Sequence, residues 1–183
     1  MGRKRAIMSA FSVALQDLLE KKDLDNIYVS DIIEVAGISK STFYRYFQDK
    51  YDLAIWCYVD LLDKLIGENV SFDGIKKIAD QELEYMSSNR QFFKKLFDYK
   101  GQNSFAKYYM ENALVSAENI CRKKHCRGLS QEEKYTIIYH TSGMLSVVDT
   151  WLHEDKTTSV EQLSDLIDVN RSTYVKELYV KSK

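Results

Sequence analysis

Apolar residues recur three and four positions apart along almost the whole of this chain, and no stretch alternates with period two. Steps of three and four place side chains on one face of an α-helix, whereas alternation would place them on one face of a strand. The pattern therefore predicts an all-α fold of about nine helices and no sheet. The 183 residues include no proline, which suits such a fold because proline breaks helix interiors.

Helix ends are legible from capping chemistry. Ile7, Phe11, Ala14, Leu15, Leu18 and Leu19 mark a first helix over about 5–22. Val29, Ile32, Ile33 and Ala36 mark a second, short helix closed by Gly37, which can take the left-handed conformation that ends a helix. Ser39 can cap a third over about 40–47, with Phe43 and Phe47 inward. Asp49 can cap a fourth over about 50–67, with Leu53, Trp56, Leu62 and Leu65 facing the core. Ser71, Asn89 and Ser104 are expected to open three more, the last ending near Gly128. Ser130 with Glu133 forms a capping box before a long helix to about Leu152. Thr158 with Glu161 offers another before a last long helix to about Val180.

The segment Val29 to Lys50 carries the functional signal. Two short helices meet at a tight turn: Ala36 lets them approach, Gly37 bends the chain, and Ile38 plugs the angle. This is the helix-turn-helix plan. The second helix of such a motif meets base edges in the major groove with its N-terminal residues. Here it presents Lys40, Ser41 and Tyr44 outward. Lysine donates to guanine, and hydroxyls donate or accept. Thr42, Tyr46 and Lys50 point where phosphates should run, and Ser39 stands at a helix N-terminus that favours an anion. Two basic clusters, Arg3-Lys4-Arg5 and Lys40-Arg45-Lys50, stand on a chain of net charge −1. That balance excludes nonspecific coating of nucleic acid and fits a short, specific contact with double-stranded DNA. Taken singly, Tyr44, Arg45 and Tyr46 are equally at home as solvated surface residues. The ordered run of glycine, cap and basic-hydroxyl-aromatic face is the stronger signal.

The run AGISKSTFYRYFQDKYDL closely resembles the signature of TetR-type repressors, over about 55 residues at the N-terminus. The resemblance implies a homodimer on a palindromic operator, its grip loosened by a small-molecule effector bound in the C-terminal body. It divides the chain into a DNA-binding domain over 1–50 and a helical regulatory and dimerisation domain over 51–183. It assigns base reading to Lys40, Ser41 and Tyr44, and backbone contact to Ser39, Thr42, Tyr46 and Lys50. Tyr28 stands where the family usually has a threonine that caps the second helix and touches phosphate; its hydroxyl is still within the reach of DNA, and Ser30 is a substitute cap.

The C-terminal half resembles a subgroup of these regulators that acts on dihydroxyacetone kinase genes, through Gly143 to Leu152 and Ser159 to Ile167. Ile137, Thr141, Met144, Leu145, Val148 and Leu152 form one apolar stripe; Leu163, Leu166, Ile167, Tyr174 and Leu178 form another. Two such helices per subunit can pair about a two-fold axis, with Ser142, Gly143 and Ser146 allowing close approach. The same stripes also suit an intramolecular core. Tyr85, Phe92, Phe93, Tyr108, Tyr109 and His140 are candidates for an effector pocket, although aromatic residues at helical spacing are more often core.

Other functions find less support. The three histidines, His125, His140 and His153, sit in no nucleophile, metal or phosphate motif, so no enzyme and no cofactor are expected. Cys121, His125 and Cys126 lack a fourth ligand at zinc spacing, so no metal is expected. The odd cysteine count, the lack of an apolar run of ~20 residues and the amphipathic N-terminus predict a cytoplasmic protein with reduced thiols and no membrane partner. The alternative is a helical adaptor or co-activator of the same fold that lacks sequence-specific DNA binding.

Overall fold

A computed structural model describes residues 2–66, 72–101, 104–154 and 157–179. The described residues form ten α-helices and no strand: α1 (Gly2–Leu19), α2 (Val29–Ala36), α3 (Lys40–Tyr46), α4 (Lys50–Ile66), α5 (Phe72–Ser88), α6 (Arg90–Asp98), α7 (Phe105–His125), α8 (Gln131–His153), α9 (Val160–Val169) and α10 (Thr173–Tyr179). A single 3-10 turn, Leu24–Asn26, lies between α1 and α2. Ser71 and the side chains of Leu62 and Leu65 lie outside the described residues. No helix among the described residues is long and apolar enough to cross a membrane.

The helices group into two compact units. The first comprises residues 1–64 and 89–105, so α6 belongs with the four N-terminal helices. Its core is aromatic. Phe11 of α1 meets Phe43 edge-on at 5.2 Å and Phe47 at 6.2 Å, and all three are buried. Phe93, Phe97 and Tyr58 close around Phe105 in the same unit. Each such ring contributes ~2 kcal/mol or more by leaving water. The Phe11 contacts hold α3 against α1 from its inner side, and α2 packs along α1 as well.

The second unit comprises residues 65–88 and 106–183. Here α5 packs along α9, and α10 packs on α8 and α5. Cys121, Ala117, Leu129, Ile137 and Leu178 share one core cluster. Ile137, Thr141, Leu145, Val148 and Leu152 are all buried within the chain, as are Leu163, Ile167 and Leu178. Both apolar stripes therefore line the unit's own core rather than an open face, with Leu166 the exposed exception.

The first helix spans Gly2–Leu19 rather than about 5–22, and two boundaries near the C-terminus also differ from expectation. The last helix divides: Asn170 and Arg171 bond back to Leu166 and Asp168, and Ser172 Oγ accepts the Val175 N–H to start α10. Its predecessor is capped by Ser159 with Gln162 rather than by Thr158 with Glu161, because Ser159 Oγ reaches the Gln162 N–H at 3.1 Å. The Ser130–Glu133 box forms as expected.

Candidate nucleic-acid interface

The interface begins with one glycine. Gly37 closes α2 at φ 64°, ψ 25°, the left-handed conformation that an L side chain resists. The chain then turns and Ser39 starts α3 in extended conformation, its Oγ accepting the Thr42 N–H at 3.3 Å. Ile32, Phe43 and Phe47 are buried, so the turn and α3 are anchored from one side only.

The opposite side of α3 faces water. Lys40, Ser41, Tyr44 and Arg45 are exposed, and Thr42 and Tyr46 are half-buried. Ser39 Oγ lies 3.1 Å from Ser41 Oγ and 2.9 Å from Thr42 Oγ1, forming a knot of three hydroxyls at the helix start. Lys40 Nζ stands 6.0 Å from the Tyr44 ring centre, and Lys4 Nζ stands 5.8 Å from that of Tyr46. The N-terminal basic run thus reaches the far end of α3 through Lys4. Cations, hydroxyls and phenols around the water-facing side of α3 are groups that base edges and phosphates both accept.

Tyr28 stands at the N-terminus of α2, 68% exposed, and its side chain makes no capping bond. Asp31 closes this helix start, not Ser30: its carboxylate accepts the Tyr28 N–H at 3.2 Å and the Lys22 ammonium at 2.9 Å. The Lys22 bond, and after it the Tyr28 N–H, hold the Asp31 carboxyl below the usual carboxylate range. Tyr28 is thereby free to face outward; the Asp31 carboxylate supplies the half of a capping box that takes the N-cap amide, and the half that a threonine hydroxyl would supply is not made by the Tyr28 side chain.

Two expected contacts are directed elsewhere. Lys50 does not point to open solvent: its ammonium donates to the carbonyl oxygens of Leu24, Asp25 and Ile27. Burial lowers its pKa from the ordinary value, with nearby carboxylates opposing the shift. Arg5 is held by Asp60 of α4, while Arg3 is exposed. The reason is the same for both residues: each cation found oxygen acceptors inside the protein, and nothing in a linear pattern marks those acceptors. No helical spacing marks Lys22 and Asp31 as partners; an aspartate three residues after Tyr28 is the one available clue.

The six candidate pocket residues do not share one unit. Phe92 and Phe93 belong to the first; Tyr85, Tyr108, Tyr109 and His140 belong to the second. Phe93 is fully buried between Phe92 and Phe105, a core position. Burial lowers the pKa of His140, and the Arg171 charge adds to the shift. An open groove of about 510 Å³ in the second unit is lined by Gln131, Glu132, Tyr135, Thr136 and Tyr139 of α8, none of them among the six. Among the described residues no group of three or more His, Cys, Asp or Glu is placed to hold a metal ion.

Comparison with known proteins agrees with this geometry. Residues 13–55 match the family model described as bacterial regulatory proteins, tetR family. Residues 73–170 match a TetR model described as a transcriptional regulator C-terminal region. The chain is 33% identical over 99 residues to the HTH-type dhaKLM operon transcriptional activator DhaS of Lactococcus lactis subsp. lactis (strain IL1403), spanning 53% of this chain and 53% of that protein, about half the length of each. In fold it is similar to a dihydroxyacetone kinase operon activator DhaS, with TM-score 0.62 at 21% identity, covering 89% of this chain and 92% of that one. It is also similar to a TetR transcriptional regulator from Streptococcus agalactiae 2603V, with TM-score 0.61 at 20% identity, covering 97% and 96%. With a helix-turn-helix head and a C-terminal half like that of DhaS, the chain belongs to the TetR family of transcriptional regulators.

Proposed function

We propose that this regulator binds a palindromic operator as a homodimer, laying α3 of each subunit into the major groove of half-sites about one turn, ~34 Å, apart. Lys40, Ser41 and Tyr44 read bases; Ser39, Thr42, Arg45, Tyr46, Tyr28, Lys4 and Arg3 hold the backbone. The observation that carries this reading is the one-sided anchoring of α3: Phe43 and Phe47 are buried and Lys40, Ser41 and Tyr44 are exposed. The division of labour between a head over 1–50 and a body over 51–183 goes with it.

The second copy is expected on α8. Its outer face exposes Tyr135, Ile138 and Tyr139, then the small residues Ser142, Gly143 and Ser146, then Val147. A Cβ built at Gly143 meets nothing within 4 Å, so the backbone there is open to a partner helix. Leu166 and Val169 add exposed apolar surface on α9. Such a face suits a self-complementary helical interface. Repression follows where the operator overlaps a promoter, with a small-molecule effector in the body relieving it. Activation is the second reading, favoured because the relative DhaS is named a transcriptional activator. The protein acts in the cytoplasm, where bacterial operators lie.

The test is selection of duplexes from a randomised pool by the full chain, followed by footprinting at the selected site. The expected result is an inverted repeat with half-sites one turn apart. Selection of no duplex would favour the adaptor alternative. The position of the site relative to a reporter promoter then separates repression from activation.

A further inference from the structure

The connection from α1 to α2, residues 20–28, forms no regular element except the turn Leu24–Asn26. Such a segment leaves backbone carbonyls without ladder partners. Two ammonium groups from distant parts of the sequence serve carbonyls at this connection, among them that of Leu24, which also accepts the Ile27 N–H. Lys50, the first residue of α4, donates to the carbonyl oxygens of Leu24 at 2.6 Å, Asp25 at 2.9 Å and Ile27 at 2.8 Å. Lys95 of α6 donates to those of Leu19 at 3.0 Å and Lys22 at 2.8 Å, and lies 3.2 Å from the Asp23 carboxylate. An ammonium has three hydrogens; each of these two has three oxygen partners.

Neighbouring contacts hold the same segment. Tyr51 donates its hydroxyl to the Asp25 carboxylate at 3.1 Å and lies flat on Tyr99, with ring centres 3.6 Å apart. The Tyr99 ring in turn occupies the space beside Gly101, where an added Cβ would come within 2.1 Å of its hydroxyl oxygen. The segment ends at Tyr28 and the Asp31 closure, where α2 begins.

We propose that Lys50 and Lys95 are positioning residues for DNA binding, a two-lysine clamp that fixes the α1–α2 connection and so sets where Tyr28 and the first turn of α2 stand, and that Lys50 does not contact phosphate. The proposal rests on the DNA-binding reading above. For Lys50 to reach a phosphate it would have to strip three carbonyls of their shared donor. Lys95 acts on the same segment from the opposite end, and neither lysine belongs to the exposed face of α3.

Lys50→Met and Lys95→Met keep the side-chain length and remove the donors. Hydrogen exchange on the free protein should be about tenfold faster or more at the amides of residues 19–28 in either variant, and unchanged across the second unit. Binding to a duplex selected by the parent protein should be about tenfold weaker for both variants. The slope of log affinity against log salt should match the parent's. A slope flatter by about one unit for Lys50→Met would make Lys50 a phosphate contact and overturn its part of the proposal. Unchanged exchange at 19–28, or exchange raised equally throughout the chain, would overturn the clamp. If the parent selects no duplex, the DNA-binding reading fails, and the exchange result still decides whether the clamp exists.

Discussion

The Arg5 guanidinium meets a single oxygen of Asp60, with Nε at 2.7 Å and Nη2 at 2.6 Å. The pair ties the first turns of α1 to the middle of α4 inside the first unit. Hydrogen bonds to charged groups contribute ~1.5–3 kcal/mol, and the half-exposed arginine reduces that through solvent screening. Arg5→Ala is therefore expected to destabilise the protein by about 1–2 kcal/mol in thermal unfolding. The salt dependence of operator binding should keep the parent slope. A flatter slope would return Arg5 to the DNA contacts.

Gly37→Ala tests the turn. No heavy atom lies within 4 Å of an added Cβ, so the cost is backbone strain at φ 64° alone. That cost is ~1–2 kcal/mol for an L residue held left-handed. Gly37→Asn should lose less, because asparagine tolerates this region. Urea denaturation of the three proteins checks the order; equal stability of the parent and the alanine variant would contradict it.

Tyr44→Ala and Lys40→Ala should each weaken binding to the selected duplex by ~1–3 kcal/mol. Tyr44 is 50% exposed and Lys40 is exposed, so melting temperatures should hardly move. Phe43→Ala, one residue away and fully buried, should instead cost ~3–5 kcal/mol of stability. Electrophoretic mobility shifts paired with calorimetry separate the two behaviours.

Tyr139→Glu places a charge at the most exposed of the large apolar side chains on the α8 face, 84% open in the single chain. If that face joins two copies, the variant should run as a monomer in light scattering while keeping its helical circular dichroism. It should also lose operator affinity, because one head alone meets one half-site. A variant that remains dimeric would move the interface elsewhere.

Glu133 predicts an acid limb. The bidentate Arg127 guanidinium, and after it the Ser130 N–H, lower its pKa from the ordinary 4.5 to about 2. A carboxylate depressed in the folded state stabilises fully above its unfolded pKa and loses that contribution as pH falls through the folded one. The window therefore runs from about pH 4.5 down to about pH 2. Glu133→Gln should have a lower melting temperature than the parent at neutral pH, and the gap should close across that window. A gap that stays constant with pH would remove this ion pair from the account.

Local chemistry explains what was legible in advance. Gly37, Ser39, Asp49 and the Ser130–Glu133 box act within one helical turn, so their roles show in the spacing itself. The helix-turn-helix and its inward phenylalanines follow from the same short-range rules. The divided last helix was less legible, because Ser172 is equally compatible with a helix interior and a helix start.

The amino-acid order alone determined that the chain is helical, where most helices stop, and which face of α3 carries cations and hydroxyls. Those properties depend on neighbours three or four residues away. Only the tertiary structure decided that Lys50 serves the carbonyls of Leu24, Asp25 and Ile27 and Arg5 serves Asp60, and that the stripes through Ile137 and Leu163 are core while Tyr139 stays open. A flexible cation takes the nearest good acceptor in space, and an amphipathic helix has an inner face only once its partners are in place.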